Sequence, residues 1–156
     1  MYRITLITVG TLKESFWREA YQEYAKRLGP YARFECIEVA EESFRSQGEV
    51  ERVLTKEGAA VLARIPEGAY VIACDVVGKS MDSVRLADHL KVQGEAGTQL
   101  VFVIGGALGL SDEIRQRAQL CLTLSPLTFT HQLARIILLE QLYRAMTIIH
   151  GKAYHY

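Results

Sequence analysis

Apolar and polar positions along this 156-residue chain fall into two alternating periods, one of strand type and one of helix type. Tyr2–Val9 reads as a first strand and ends at Gly10. Ser15–Leu28 then places Phe16, Trp17, Ala20, Tyr21, Tyr24, Ala25 and Leu28 at steps of three and four, the signature of an amphipathic helix. Gly29-Pro30 closes it. The aromatic stripe is read as packing rather than a base-stacking platform. Phe34–Val39 predicts a second strand, 40–48 a polar, mobile surface loop, and Glu49–Arg64 a second helix weakened by Gly58. Tyr70–Cys74 is a third strand, followed by a loop over 75–79 and a helix to Val92, capped by Ser80 or Asp82. Gln99–Ile104 is a fourth strand, Ser111–Ala118 a short helix with Ser111 as its cap, and Leu120–Leu124 a fifth strand. The last helix runs from about His131 to His150, before a short tail, 151–156.

Strands that alternate with helices give an α/β fold: a mainly parallel sheet with helices on both faces. Val101-Phe102-Val103-Ile104 has no charge and suits a strand buried on both faces. The length and the lack of repeats or linkers predict a single domain spanning 1–156. The last helix is apolar on nearly every side, from Leu133 to Ile149. Such a helix must be covered all round, and a second copy of the chain related by two-fold symmetry is the simplest cover. Arg135, Glu140, Gln141 and Arg144 interrupt it too often for a membrane span.

Composition adds limits. The formal net charge is zero, with 18 basic and 18 acidic side chains, which is unusual for a protein that grips naked nucleic acid unaided. Residues 1–78 carry ten basic against twelve acidic side chains, and residues 79–156 carry eight against six. An anionic partner is therefore expected at the C-terminal half. Cys36, Cys74 and Cys121 are odd in number and widely spaced, which fits reduced thiols and a cytoplasmic protein with no zinc site.

Two loops lie at the carboxyl ends of predicted strands, where open α/β sheets hold ligands: Gly105–Gly109 and Ser125–Thr130. The first is G-G-x-x-G rather than the dinucleotide pattern G-x-G-x-x-G. The phosphate-loop pattern and G-x-S-x-G are both absent. What remains is a ligand gripped by backbone and apolar walls. His131 opens the helix after the second loop, and Arg135 lies four residues on along the same face. His131 reads equally as a capping or interface histidine and as a catalytic one. Arg144 reads either as an RNA-phosphate ligand or as the partner of Glu140, four residues before it. His150 and Lys152 are expected in solvent.

The segments Cys74–Lys79, Phe102–Ser111, Leu124–Arg135, Glu140–Ala145 and Tyr154-His155 together resemble the RlmH (YbeA-like) family of ribosomal RNA large-subunit methyltransferases. That family is a minimal branch of the SPOUT superfamily. The resemblance covers the whole chain. It implies a C-terminal trefoil knot over roughly 70–156, S-adenosylmethionine bound in the knot at a homodimer interface, and no metal. It implies methyl transfer to N3 of a pseudouridine in helix 69 of 23S ribosomal RNA on the assembled ribosome. By motif position, the implied cofactor contacts are Cys74, Gly105, Leu124, Ser125, Pro126, Leu127, Thr128 and Phe129. The N3 proton must leave, so the implied catalytic groups are His131, Arg135, Arg144, Tyr154 and His155, the last two as a lid over the site. A non-catalytic ribosome-binding or assembly factor and a transfer-RNA methyltransferase are the alternatives on the same scaffold.

Overall fold

The computed structural model describes residues 1–156. Five parallel strands form one sheet in the order β2-β1-β4-β3-β5: β1 Tyr2–Val9, β2 Ala32–Val39, β3 Tyr70–Ser80, β4 Leu100–Ile104 and β5 Leu120–Thr123. The helices are α1 Ser15–Leu28, α2 Val50–Leu62, α3 Ser83–Gly94, α4 Asp112–Arg117 and α5 His131–Ile149. All five residues of β4 are buried, as their uncharged run requires. Alternate strand residues then serve two cores. Ile4, Leu6, Ile72 and Phe102 face α1, α3 and α5, while Ile7, Val71, Val101 and Val103 face α2 and α4.

Side chains stop and start the helices where expected. Asp82 accepts from the Arg85 N–H at 2.8 Å, so it, not Ser80, caps α3. Ser111 caps α4 as expected, and at the start of α5 the cap is Thr130, which the sequence reading had not named, rather than His131. Gly58, expected to weaken α2, is the point where that helix meets Ser111.

Three expectations are corrected. β2 starts at Ala32, two residues before Phe34. β3 does not end at Cys74 but continues to Ser80. Its register against β5 breaks between Cys74 and Lys79, so that Lys79 and Ser80 pair again with Leu122 and Thr123. Gly78 permits this, because a Cβ there would lie 2.6 Å from the Leu122 carbonyl carbon and 2.7 Å from the Thr123 nitrogen. The polar segment 40–48 is tied down. The Glu42 N–H donates to Glu57 Oε2 at 2.9 Å, and the Glu42 carboxylate faces Lys56 at 3.4 Å.

Helix α5 lies between α1 and α3, so its own chain covers more of it than its all-round apolar surface led one to expect. Leu133, Ile136, Ile137 and Tyr143 stay half-buried. Of the aromatic stripe, Tyr21 and Tyr24 pack on the core, and Trp17 stacks on exposed Phe16 at 5.0 Å between centroids. The three cysteines are unpaired. No helix is long and apolar enough to cross a membrane.

Candidate active site

At the carboxyl ends of β4, β3 and β5 the two loops picked out by sequence enclose a crevice of about 300 Å³. Ile104, Leu110, Leu124, Leu127 and Phe129 supply its apolar wall. Gly105 turns the chain under this wall. A Cβ at Gly105 would collide with the Gly109 carbonyl, so only glycine allows the two strands of this turn to meet. Ser125 folds the second loop: its hydroxyl accepts from the Leu127 N–H at 3.0 Å, and its carbonyl accepts from the Thr123 hydroxyl at 2.7 Å.

Of the eight cofactor positions implied by sequence, Cys74, Gly105, Leu124, Ser125, Leu127, Thr128 and Phe129 line the crevice. Pro126 is exposed and does not. Burial pushes the Cys74 thiol up to about 12, with Asp75 and Cys121 adding to the effect.

The five catalytic candidates separate into three places. His131 lines the crevice at the start of α5, with its ring against Gly10, and its buried Nδ1 has no partner. Arg135 does not reach the crevice. It turns the other way and is 2% exposed, donating to Glu38 at 2.8 Å, Thr8 Oγ1 at 2.9 Å and the Gly10 carbonyl at 3.1 Å. The ends of β1 and β2 offer three acceptors that match its fork, and this draws the side chain inward. Arg144 lies thirteen residues beyond His131 on α5, about 20 Å along the helix axis. It forms an ion pair with Glu140, as one of its two readings required.

The tail folds back onto this pair. The Tyr154 hydroxyl donates to Glu140 at 3.2 Å, its ring lies under the Arg144 guanidinium at 4.7 Å, and His155 Nδ1 is 3.2 Å from Arg144 Nη1. His155 lines a second groove, which shares Thr123 and Leu124 with the crevice. The crevice and the groove lined by His155 thus adjoin at the end of β5. His150 is exposed, its ring packed on Tyr31 at 4.9 Å, and Lys152 is exposed.

Two residues of the site escaped the sequence reading. Asp75 is the only carboxylate lining the crevice, and Arg115 of α4 holds it. Its signal was a single charge at the carboxyl end of an apolar strand. Glu57 is 4% exposed behind Gly106, with Oε1 unpartnered. Burial raises its carboxyl above the usual range, and Glu41 and Glu42 add to the rise. Its signal was an acid in the apolar stripe Val50, Val53, Leu54, Glu57, Val61. No group of three or more His, Cys, Asp or Glu side chains is placed to hold a metal ion.

Comparison with known proteins places this geometry. Residues 2–155 match the family described as predicted SPOUT methyltransferase. A protein of Alkaliphilus oremlandii named ribosomal RNA large subunit methyltransferase H is 46% identical over 156 residues, covering 97% of this chain and 98% of that one. A protein of Methanoregula boonei, provisionally given the same name, is 47% identical over 157 residues, covering 98% and 99%. Among solved structures, a probable methylase family protein of Haemophilus influenzae superposes over 99% of this chain and 70% of its own, with a TM-score of 0.57 at 15% identity. At that identity the likeness speaks for the fold alone. With the family pattern spanning all but the terminal residues, and relatives close to half identical from end to end, the chain belongs to the SPOUT methyltransferase family.

Proposed function

We propose that this protein transfers a methyl group from S-adenosylmethionine to ribosomal RNA of the large subunit, at N3 of a pseudouridine in helix 69 of 23S ribosomal RNA, on the assembled ribosome. The observation that carries the reading is the crevice itself, in a chain almost wholly alignable with proteins of that name. It is apolar, turned by Gly105, and lined by His131 at the start of α5. These residues fit the cofactor. Leu124, Leu127 and Phe129 suit a purine face, and the backbone around Gly105 is open to close approach. When bound, S-adenosylmethionine supplies an electrophilic methyl group on a sulfonium.

The chain's own residues do the rest. Transfer from sulfur to nitrogen is an in-line displacement, so the walls of the crevice contribute by alignment. The acceptor N3–H must lose its proton, and His131, whose side chain lines the crevice, is the histidine this chain places beside it. Arg144, paired with Glu140 and stacked on the Tyr154 ring, offers its remaining N–H groups to the ring oxygens beside N3.

Because Arg144 stands about 20 Å along α5 from His131, one chain does not gather all these groups at one crevice. We read the protein as a homodimer in which the tail of one copy completes the crevice of the other. Val76 and Leu127 at the crevice, and Val77 next along β3, are 54%, 71% and 78% exposed, an apolar surface suited to a second copy. Residues 1–156 act as a single unit, threaded as a trefoil knot over roughly 70–156. A chain of zero formal net charge draws its docking contact from the ribosome, in the cytoplasm where its target lies.

The test is methyl transfer to whole ribosomes and to a free helix 69 oligonucleotide, read by mass spectrometry. N3-methylpseudouridine is expected on ribosomes and nearly none on the oligonucleotide. No methylation of either substrate would overturn the reading.

A further inference from the structure

Asp75 sits where β3 leaves the core, at the carboxyl end of the strand's buried half. Its side chain is 8% exposed. Oδ2 is held by Arg115 Nε, and Arg115 is itself anchored to Asp112 at 3.0 Å. Oδ1 has only a long contact, 3.4 Å from the Val77 N–H. A carboxylate this buried, fixed on one oxygen and nearly free on the other, is a prepared acceptor facing an apolar crevice. No other carboxylate lines that crevice.

The methyl donor offers two kinds of partner for it: an ammonium and a pair of ribose hydroxyls. The Arg115 guanidinium already compensates the charge of Asp75, so a second cation would meet a neutralised pair. A hydroxyl needs only the fixed lone pair, and an acid at the end of a parallel strand is a known way to take ribose. We propose that Asp75 binds the ribose hydroxyls of the cofactor, with Arg115 as its positioning residue. This rests on the methyltransferase reading above.

The test is calorimetric and needs no turnover. S-adenosylhomocysteine and 5′-methylthioadenosine, which keeps adenine and ribose but lacks the amino-acid part, are titrated into the wild type and into Asp75→Asn. The variant is expected to lose about tenfold to a hundredfold in affinity for both. Arg115→Gln should lose affinity for both in the same proportion, by a smaller factor. The 2′-deoxy form of methylthioadenosine is titrated into the wild type as well, so the result does not depend on a variant folding, and a loss of about tenfold is expected. A loss confined to S-adenosylhomocysteine would assign Asp75 to the ammonium and overturn the proposal. Unchanged affinities throughout would make Asp75–Arg115 a purely structural pair and also overturn it, leaving the function intact. No binding of either compound by the wild type would sink the methyltransferase reading itself.

Discussion

Arg135 donates from Nη2 to the carbonyl of Gly10 at 3.1 Å, and so pins the loop after β1 against the first turn of α5. The same loop is held from the other side, where the Lys13 N–H donates to Gln132 Oε1 at 3.0 Å. Removing the guanidinium strands Glu38, Thr8 and the Gly10 carbonyl together. Arg135→Ala is therefore expected to cost about 3 kcal/mol of stability in urea denaturation. Unchanged stability with lost activity would return Arg135 to the reacting groups.

Glu57 predicts how stability varies with pH. Its folded-state value is raised above the ordinary 4.5 by burial first, then by Glu41 and Glu42, so the fold prefers the neutral acid. That contribution is fully present below the unfolded value and fades as pH climbs through the raised folded one. Glu57→Gln keeps an acceptor for the Glu42 N–H and carries no charge. Denaturation midpoints between pH 4 and 8 should fall with rising pH in the wild type and vary less in the variant. Parallel curves would contradict this.

Gly105 admits no side chain, since the Gly109 carbonyl occupies the space. Gly105→Ala must shift backbone at the floor of the crevice, an overpacking cost of about 1–3 kcal/mol. Cofactor affinity measured by calorimetry should drop about tenfold or more. Wild-type affinity would mean that the turn plays no part in binding.

Arg144 and Tyr154 should separate binding from chemistry. Neither lines the crevice of its own chain, so Arg144→Ala should leave affinity for S-adenosylhomocysteine within about twofold. Methylation of ribosomes should fall about a hundredfold, as when a group stabilising developing charge is removed. Tyr154→Phe removes only the bond to Glu140 and should cost less, about tenfold.

The exposed valines bear on assembly. Val77→Asp or Leu127→Asp would place a charge on the surface assigned to the second copy. Sedimentation should then show monomers where the wild type is dimeric. A monomeric wild type would remove the shared site.

Period and punctuation made most of this fold readable. Uncharged β4, the cap Ser111 and the run from Leu133 to Ile149 all announce their roles locally. The extension of β3 through Val76 and Val77 was not legible, because it depends on Gly78 fitting against β5, a strand forty residues later. Arg135 misled for a related reason. Its spacing from His131 is a property of one helix, whereas its acceptors come from the ends of β1 and β2. Asp75 and Glu57 left visible marks, a charge ending an apolar run and an acid inside an apolar stripe. Their meaning depended on neighbours that only the fold brings close.

Cys74 lines the pocket assigned to a methyl donor, and its burial keeps the thiol protonated, with a value near 12. A thiol held in its protonated form is a far poorer nucleophile than the thiolate. A soft nucleophile can thus stand in the wall of an alkylating chamber without being alkylated, and the reagent is kept for the RNA rather than spent on the enzyme.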